Sequence, residues 1–87
     1  MTKEESMTIS ELGHKLREMY ENAPDGDSVV MIHLFGIKFG PQLRDCGASA
    51  RDLAIAAGIP ESYRTEINKG INLSKYVQVV SMPATAR

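Results

Sequence analysis

Leu53-Ala-Ile-Ala-Ala-Gly-Ile-Pro-Glu-Ser-Tyr-Arg-Thr-Glu-Ile-Asn-Lys-Gly70 decides the fold, because its apolar spacing and its punctuation agree on one local structure. Leu53, Ala54 and Ala57 fall on one side of a helix. Gly58 follows where the chain must reverse, and a left-handed residue there is cheap only for glycine. Ile59 is placed to plug the space between two helices. Pro60 suits the first turn of the second helix, where its missing N–H costs nothing. Ile67 then returns toward Leu53, and Gly70 is expected to close the second helix. Ser49, with Asp52 three residues on, supplies the N-terminal cap of the first helix.

Upstream, Thr8 and Glu11 have the spacing of a capping box, with Met7 and Leu12 as its hydrophobic staple. Ile9, Leu12, Leu16, Met19 and Tyr20 recur at helical spacing, which predicts a helix over 9–22. Gly13 inside it is read as a close helix crossing. Asn22 to Asp27 is turn chemistry, with Asp25 or Asp27 available as the next cap. Residues 29–39 are the most hydrophobic segment: Val30, Leu34 and Ile37 share one helical face, and Met31, Phe35 and Phe39 the adjacent one. A helix is expected there, stopped by Gly40-Pro41, with Pro41 opening a further short helix through Cys46 that Gly47 closes.

The expected architecture is all-α, a compact bundle of four to five short helices over residues 7–82, with flexible tails at 1–6 and 83–87. An α+β version is the alternative, if residues 29–35 or 76–80 are extended and the latter form a short C-terminal strand.

Composition narrows the chemistry. With 87 residues and 43% hydrophobic content the chain is one small domain. Its single cysteine, Cys46, excludes an internal disulfide and suits a reduced, cytoplasmic setting. No apolar run approaches the roughly 18 residues that would span a membrane. His14 and His33 are far apart and lack companions at ligand spacing, so no metal is expected. Asp25-Gly-Asp27 begins like a calcium loop without its later ligands, and no phosphate loop or nucleophile constellation is legible. No enzyme activity, cofactor or small-molecule ligand is expected.

The net charge is −1, unevenly spread. Residues 1–48 hold five Lys/Arg against eight Asp/Glu, whereas residues 49–75 hold Arg51, Arg64, Lys69 and Lys75 against Asp52, Glu61 and Glu66. The hairpin is therefore the more positive region.

The 50–70 stretch resembles the helix-turn-helix of the phage-repressor-like DNA-binding family through Leu53, Ala54, Gly58, Ile59, Tyr63, Ile67 and Gly70, with the Leu-Ala-x-x-Ala-Gly-Ile start especially close. The rest of the chain looks like a small bacterial helix-turn-helix-like domain. The resemblance implies a small DNA-binding protein, a transcriptional regulator or accessory factor, for which a dimer on a two-part site is one arrangement. It makes residues 60–69 the recognition helix, entering the major groove of duplex DNA, with Glu61, Ser62, Thr65, Glu66 and Lys69 facing the groove. Ser62 and Thr65 would donate to phosphates or base edges, and Arg51, Arg64, Lys69 and Lys75 would neutralise phosphates. Two departures stand out. Arg64 occupies a position that the family usually fills with an aliphatic residue, and Glu61 and Glu66 place carboxylates on the groove side. The alternative is a protein–protein interaction module that keeps the hairpin as architecture, with segment 71–80 as the contact. The charge around Ser62, Thr65 and Lys69 separates the two readings.

Overall fold

A computed structural model describes residues 7–80, so the tails expected at 1–6 and 83–87 lie outside the described residues. Four α-helices follow in order: α1 (Ile9–Glu21), α2 (Ser28–Cys46), α3 (Ala50–Ala57) and α4 (Arg64–Leu73), with a 3₁₀ turn, Glu61–Tyr63, leading into α4. No strand occurs among the described residues, and 76–80 are turn and coil, so the all-α reading holds and the α+β alternative does not.

Local chemistry starts each helix. Thr8 caps α1 with a complete capping box: the Glu11 N–H donates to Thr8 Oγ1 at 3.1 Å, and the Thr8 N–H to Glu11 Oε1 at 2.9 Å. Asp27 takes the N-cap position of α2 without a side-chain bond. Ser49 caps α3 by accepting from the Asp52 N–H at 3.0 Å. The chain reverses at Gly58 with φ +72°, as expected, and Arg17 from α1 donates to the carbonyls of Ala57 at 3.2 Å and Gly58 at 3.5 Å. That guanidinium serves carbonyls that the end of α3 leaves without helical donors.

Two expected helix ends are not ends. Gly40-Pro41 does not stop α2, which runs on to Cys46 and closes at Gly47 in the left-handed conformation, and Gly70 does not close α4, which reaches Leu73. Both glycines are buried at a helix contact instead of capping. Gly36 and Gly70 face each other so closely that a Cβ on Gly36 would lie 2.7 Å from the Gly70 Cα, and one on Gly70 would lie 2.5 Å from the His33 carbonyl oxygen. One turn on, a Cβ on Gly40 would run into Ser74. The pairs 36 with 70 and 40 with 74 advance together, so α2 and α4 run parallel through a seam of small residues. Arg44 extends the seam by donating to Ser74 Oγ at 3.0 Å and to the Ile71 carbonyl at 3.4 Å. This packing on both sides of Pro41 outweighs a proline cost of about 3 kcal/mol. The proline itself is exposed.

The core joins all four helices: Leu12 and Leu16 from α1; Ile32, Phe35 and Leu43 from α2; Leu53, Ala54 and Ala57 from α3; and Ile67 from α4, with Ile59 plugging the turn. Leu53 and Ile67 are fully buried in it together. Gly13 is the close crossing that its sequence position suggests, since a Cβ there would lie 2.8 Å from Ala56 Cβ on α3. The apolar start of α2 is not buried all round, because Val29 and Val30 remain exposed.

Gly36→Ala tests the seam with opposed effects. Alanine is better than glycine in an exposed helix by about 1 kcal/mol, but here its methyl meets backbone and must push α2 from α4, an overpacking cost of roughly 1–3 kcal/mol. Urea denaturation is expected to show net destabilisation, whereas equal or greater stability would dispose of the close crossing.

Candidate nucleic-acid interface

The reversal at Gly58 and the burial of Ile67 and Gly70 orient the second helix of the hairpin. With those residues inward, the helical period turns Thr65, Asn68, Lys69 and Asn72 outward, and all four are exposed. Glu61, Ser62 and Arg64 at the start of the helix are exposed as well. The face is thus unobstructed, and it carries hydroxyl, amide and cationic groups on one rigid element.

The sequence-expected site residues fall into three groups. Ser62, Arg64, Thr65 and Lys69 lie together on the 3₁₀ turn and α4. Thr65 Oγ1 donates to the Ser62 carbonyl at 3.1 Å, so its hydroxyl already serves the turn and offers lone pairs outward. Arg64, at the position where the resemblance leads one to expect an aliphatic residue, is exposed, and the core closes without it through Ile59, Tyr63 and Ile67. Arg51 stands on α3 and donates from Nε to Glu61 Oε1 at 2.8 Å across the hairpin. Lys75 follows the end of α4, beside an open cleft shared with Ile37, Pro41, Tyr76 and Val77, away from the start of that helix.

Glu66 departs from its expected place. It does not face the groove; its carboxylate turns to α2, where His33 Nε2 lies 2.6 Å from Oε1. With the carboxylate ionised, Nε2 is the donor. Lys69 Nζ approaches the same carboxylate more loosely, at 3.4 Å. The hydrogen bond from His33, assisted by Lys69, holds the Glu66 carboxyl below the ordinary carboxylate range against a smaller opposing effect of desolvation. Glu61 and Glu66 are therefore both engaged by cations or donors of the protein itself, which leaves Arg64 as a cation with no ion-pair partner among the described residues. The result is a mixed, mildly positive face, not a continuous basic patch.

Sequence reasoning missed four participants. Asn68 and Asn72 complete the outward stripe, and their i+3 and i+7 spacing from Thr65 was a readable signal. Asn68 also borders a cleft with Arg44, Ser49 and Ala50, which brings the start of α3 next to α4. Arg17 and Arg44 brace the two ends of the hairpin from α1 and α2, contacts across sequence distance for which no local signal exists. Tyr63, already one of the matched residues, packs edge-on against Tyr20 with ring centroids 5.7 Å apart, and this neighbour, with burial, pushes the Tyr20 phenol above its ordinary range.

A family model described as an HTH-like domain matches residues 8–80. The chain belongs to this HTH-like domain family. The match spans all four helices, so it takes in the helix-turn-helix and the α1–α2 scaffold that carries it. No curated protein and no solved structure matches the chain. Among the described residues, no helix of this HTH-like domain is long and apolar enough to cross a membrane, and no group of His, Cys, Asp or Glu is arranged to hold a metal ion.

The Glu66 environment makes stability depend on pH with a definite sign. A carboxyl whose pKa is lowered by folding stabilises fully above its unfolded-state pKa and ceases to as the pH falls through the lower folded-state value. Glu66→Gln is therefore expected to be less stable than the parent at neutral pH and to converge with it in acid, once Glu66 is protonated. Parallel urea titrations from neutral pH downward check this, and a gap independent of pH would refute it.

Proposed function

We propose that this HTH-like domain is a small, non-enzymatic DNA-binding protein, a bacterial cytoplasmic regulator of transcription or an accessory factor, that presents α4 to the major groove in the manner of phage-repressor-like proteins. The observation that carries the reading is the free outer face of α4. Thr65, Asn68, Lys69 and Asn72 are exposed on the helix after a sharp glycine turn, while Glu66 is paired with His33 on α2 and Glu61 with Arg51 on α3. Asn side chains suit the donor–acceptor edge of adenine, and Arg64 and Lys69 suit phosphates or guanine. The weak overall charge sets the affinity scale: few phosphates are neutralised, so non-specific attraction is slight and the complex is most readily detected at low salt.

Titration of mixed-sequence duplex DNA at two salt concentrations tests the proposal. Binding that weakens as salt rises is expected, and a folded protein without salt-dependent affinity would count decisively against it. Lys69→Ala should weaken binding across sequences and lower the slope of log affinity against log salt by roughly 0.9 if one phosphate contact is lost. Thr65→Ala should weaken binding while leaving the helical circular dichroism unchanged.

One observation favours an added protein contact. Leu73 at the end of α4 and Tyr76 and Val77 just after it are exposed apolar residues, Tyr76 being 84% exposed. Such a surface suits a second copy, which would place two recognition helices on a two-part site. Sedimentation of the parent and of Tyr76→Ser should then show a concentration-dependent dimer that the substitution weakens; an unchanging monomer refutes the contact.

A further inference from the structure

We propose that His33, on α2 and outside the helix-turn-helix, is a positioning residue for DNA binding: it holds Glu66 against the scaffold, keeping that carboxylate off the phosphate side of α4 and leaving Lys69 available to DNA. This inference rests on the DNA-binding reading and deepens it.

The geometry divides the work between the two partners of Glu66. His33 takes Oε1 at 2.6 Å in a half-buried contact, both side chains being mostly shielded, whereas Lys69 stands at 3.4 Å with its side chain 63% exposed. The short, sheltered bond fixes where the carboxylate lies. The long, exposed contact is one that Lys69 exchanges for a phosphate at little cost, since solvent-exposed ion pairs contribute little. Glu66 sits one turn from Gly70, whose contact with Gly36 presses α4 on α2, so the carboxylate lies within reach of a donor on α2. His33 lies one turn before Gly36, in register with Glu66. Without that donor Glu66 has Lys69 as its remaining partner. It then both ties up the cation and adds a negative charge beside the DNA backbone.

The test is a double-mutant cycle read by duplex DNA titration at low salt, with circular dichroism to verify folding. His33→Leu keeps apolar volume but cannot donate, and it is expected to weaken binding roughly fivefold, the effect of about one uncompensated charge contact in water. His33→Gln retains an N–H donor and should keep most of the affinity. Glu66→Gln in the His33→Leu background removes the freed charge and should restore binding to the parent level, which a merely structural role for His33 would not allow. In the absence of DNA, the Glu66 carboxyl followed by NMR should titrate higher in His33→Leu than in the parent. Should His33→Leu fail to fold, His33→Asn, too short to reach Glu66, takes its place in the same cycle. A folded variant lacking the donor that binds as well as the parent, or one that Glu66→Gln does not rescue, overturns the role of His33 while DNA binding itself stands. A parent protein with no affinity for DNA overturns both.

Discussion

The parallel contact of α2 and α4 through Gly36 and Gly70 is the constraint from which the rest of the arrangement follows. Two helices meet at backbone distance only where neither carries a side chain, and here the condition holds at two successive turns, Gly36 with Gly70 and Gly40 with Ser74. The close approach fixes both the separation and the rotation of α4. Its rotation decides which residues look outward. Were α4 turned by one residue, Glu66 would move toward solvent and Lys69 toward the flank. The seam thus sets the chemistry of the exposed face, although none of its residues lies on that face.

Helix-turn-helix units are usually described by how their two helices hold each other. In this domain α4 leans chiefly on α2, while α3 leans on α1 through Gly13 and Ala56. The turn at Gly58 is then a junction between two packed pairs, and its rigidity is shared with Arg17, which reaches from α1 to the carbonyls at the end of α3. Arg44 does the equivalent at the far end of α4. Each arginine satisfies groups at a helix end and ties the hairpin to the scaffold, so an 87-residue chain with a single cysteine holds α4 in place with few spare contacts.

Much of this was legible in the amino-acid sequence where the determinants are local. The Thr8–Glu11 box, the Ser49 cap, the reversal at Gly58 and the inward set Leu53, Ala54, Ala57, Ile59 and Ile67 each follow from residues within a turn or two of one another. The errors were non-local in origin. Gly40-Pro41 and Gly70 carry the local signature of helix ends, but glycine serves equally to cap and to let helices touch, and only the partner helix reveals which. Glu66 failed for the same reason: the helical wheel puts it on the flank of the outward face, and what draws it in is a histidine 33 residues away. Asn68 and Asn72 carry no charge, so the charge pattern of the chain does not mark them, although they share the helical stripe of Thr65.

The acidic balance of the chain is less of an obstacle to a DNA-binding role than its net charge suggests. What a groove meets is the local face, and a carboxylate opposes binding in proportion to its freedom to approach phosphate. Glu61 is bound to Arg51 across the hairpin, and Glu66 to His33 across the α2–α4 seam. The two differ in a way that matters. The Arg51–Glu61 pair is well exposed on both sides and water competes for it, so it screens its charge weakly. The His33–Glu66 pair is shielded and anchored to two helices whose spacing is set by glycines, so it withdraws its charge durably. For a DNA-binding role, a domain with few positive charges gains by placing its negative charges well, and that placement is made by the scaffold, not by the outer face of α4.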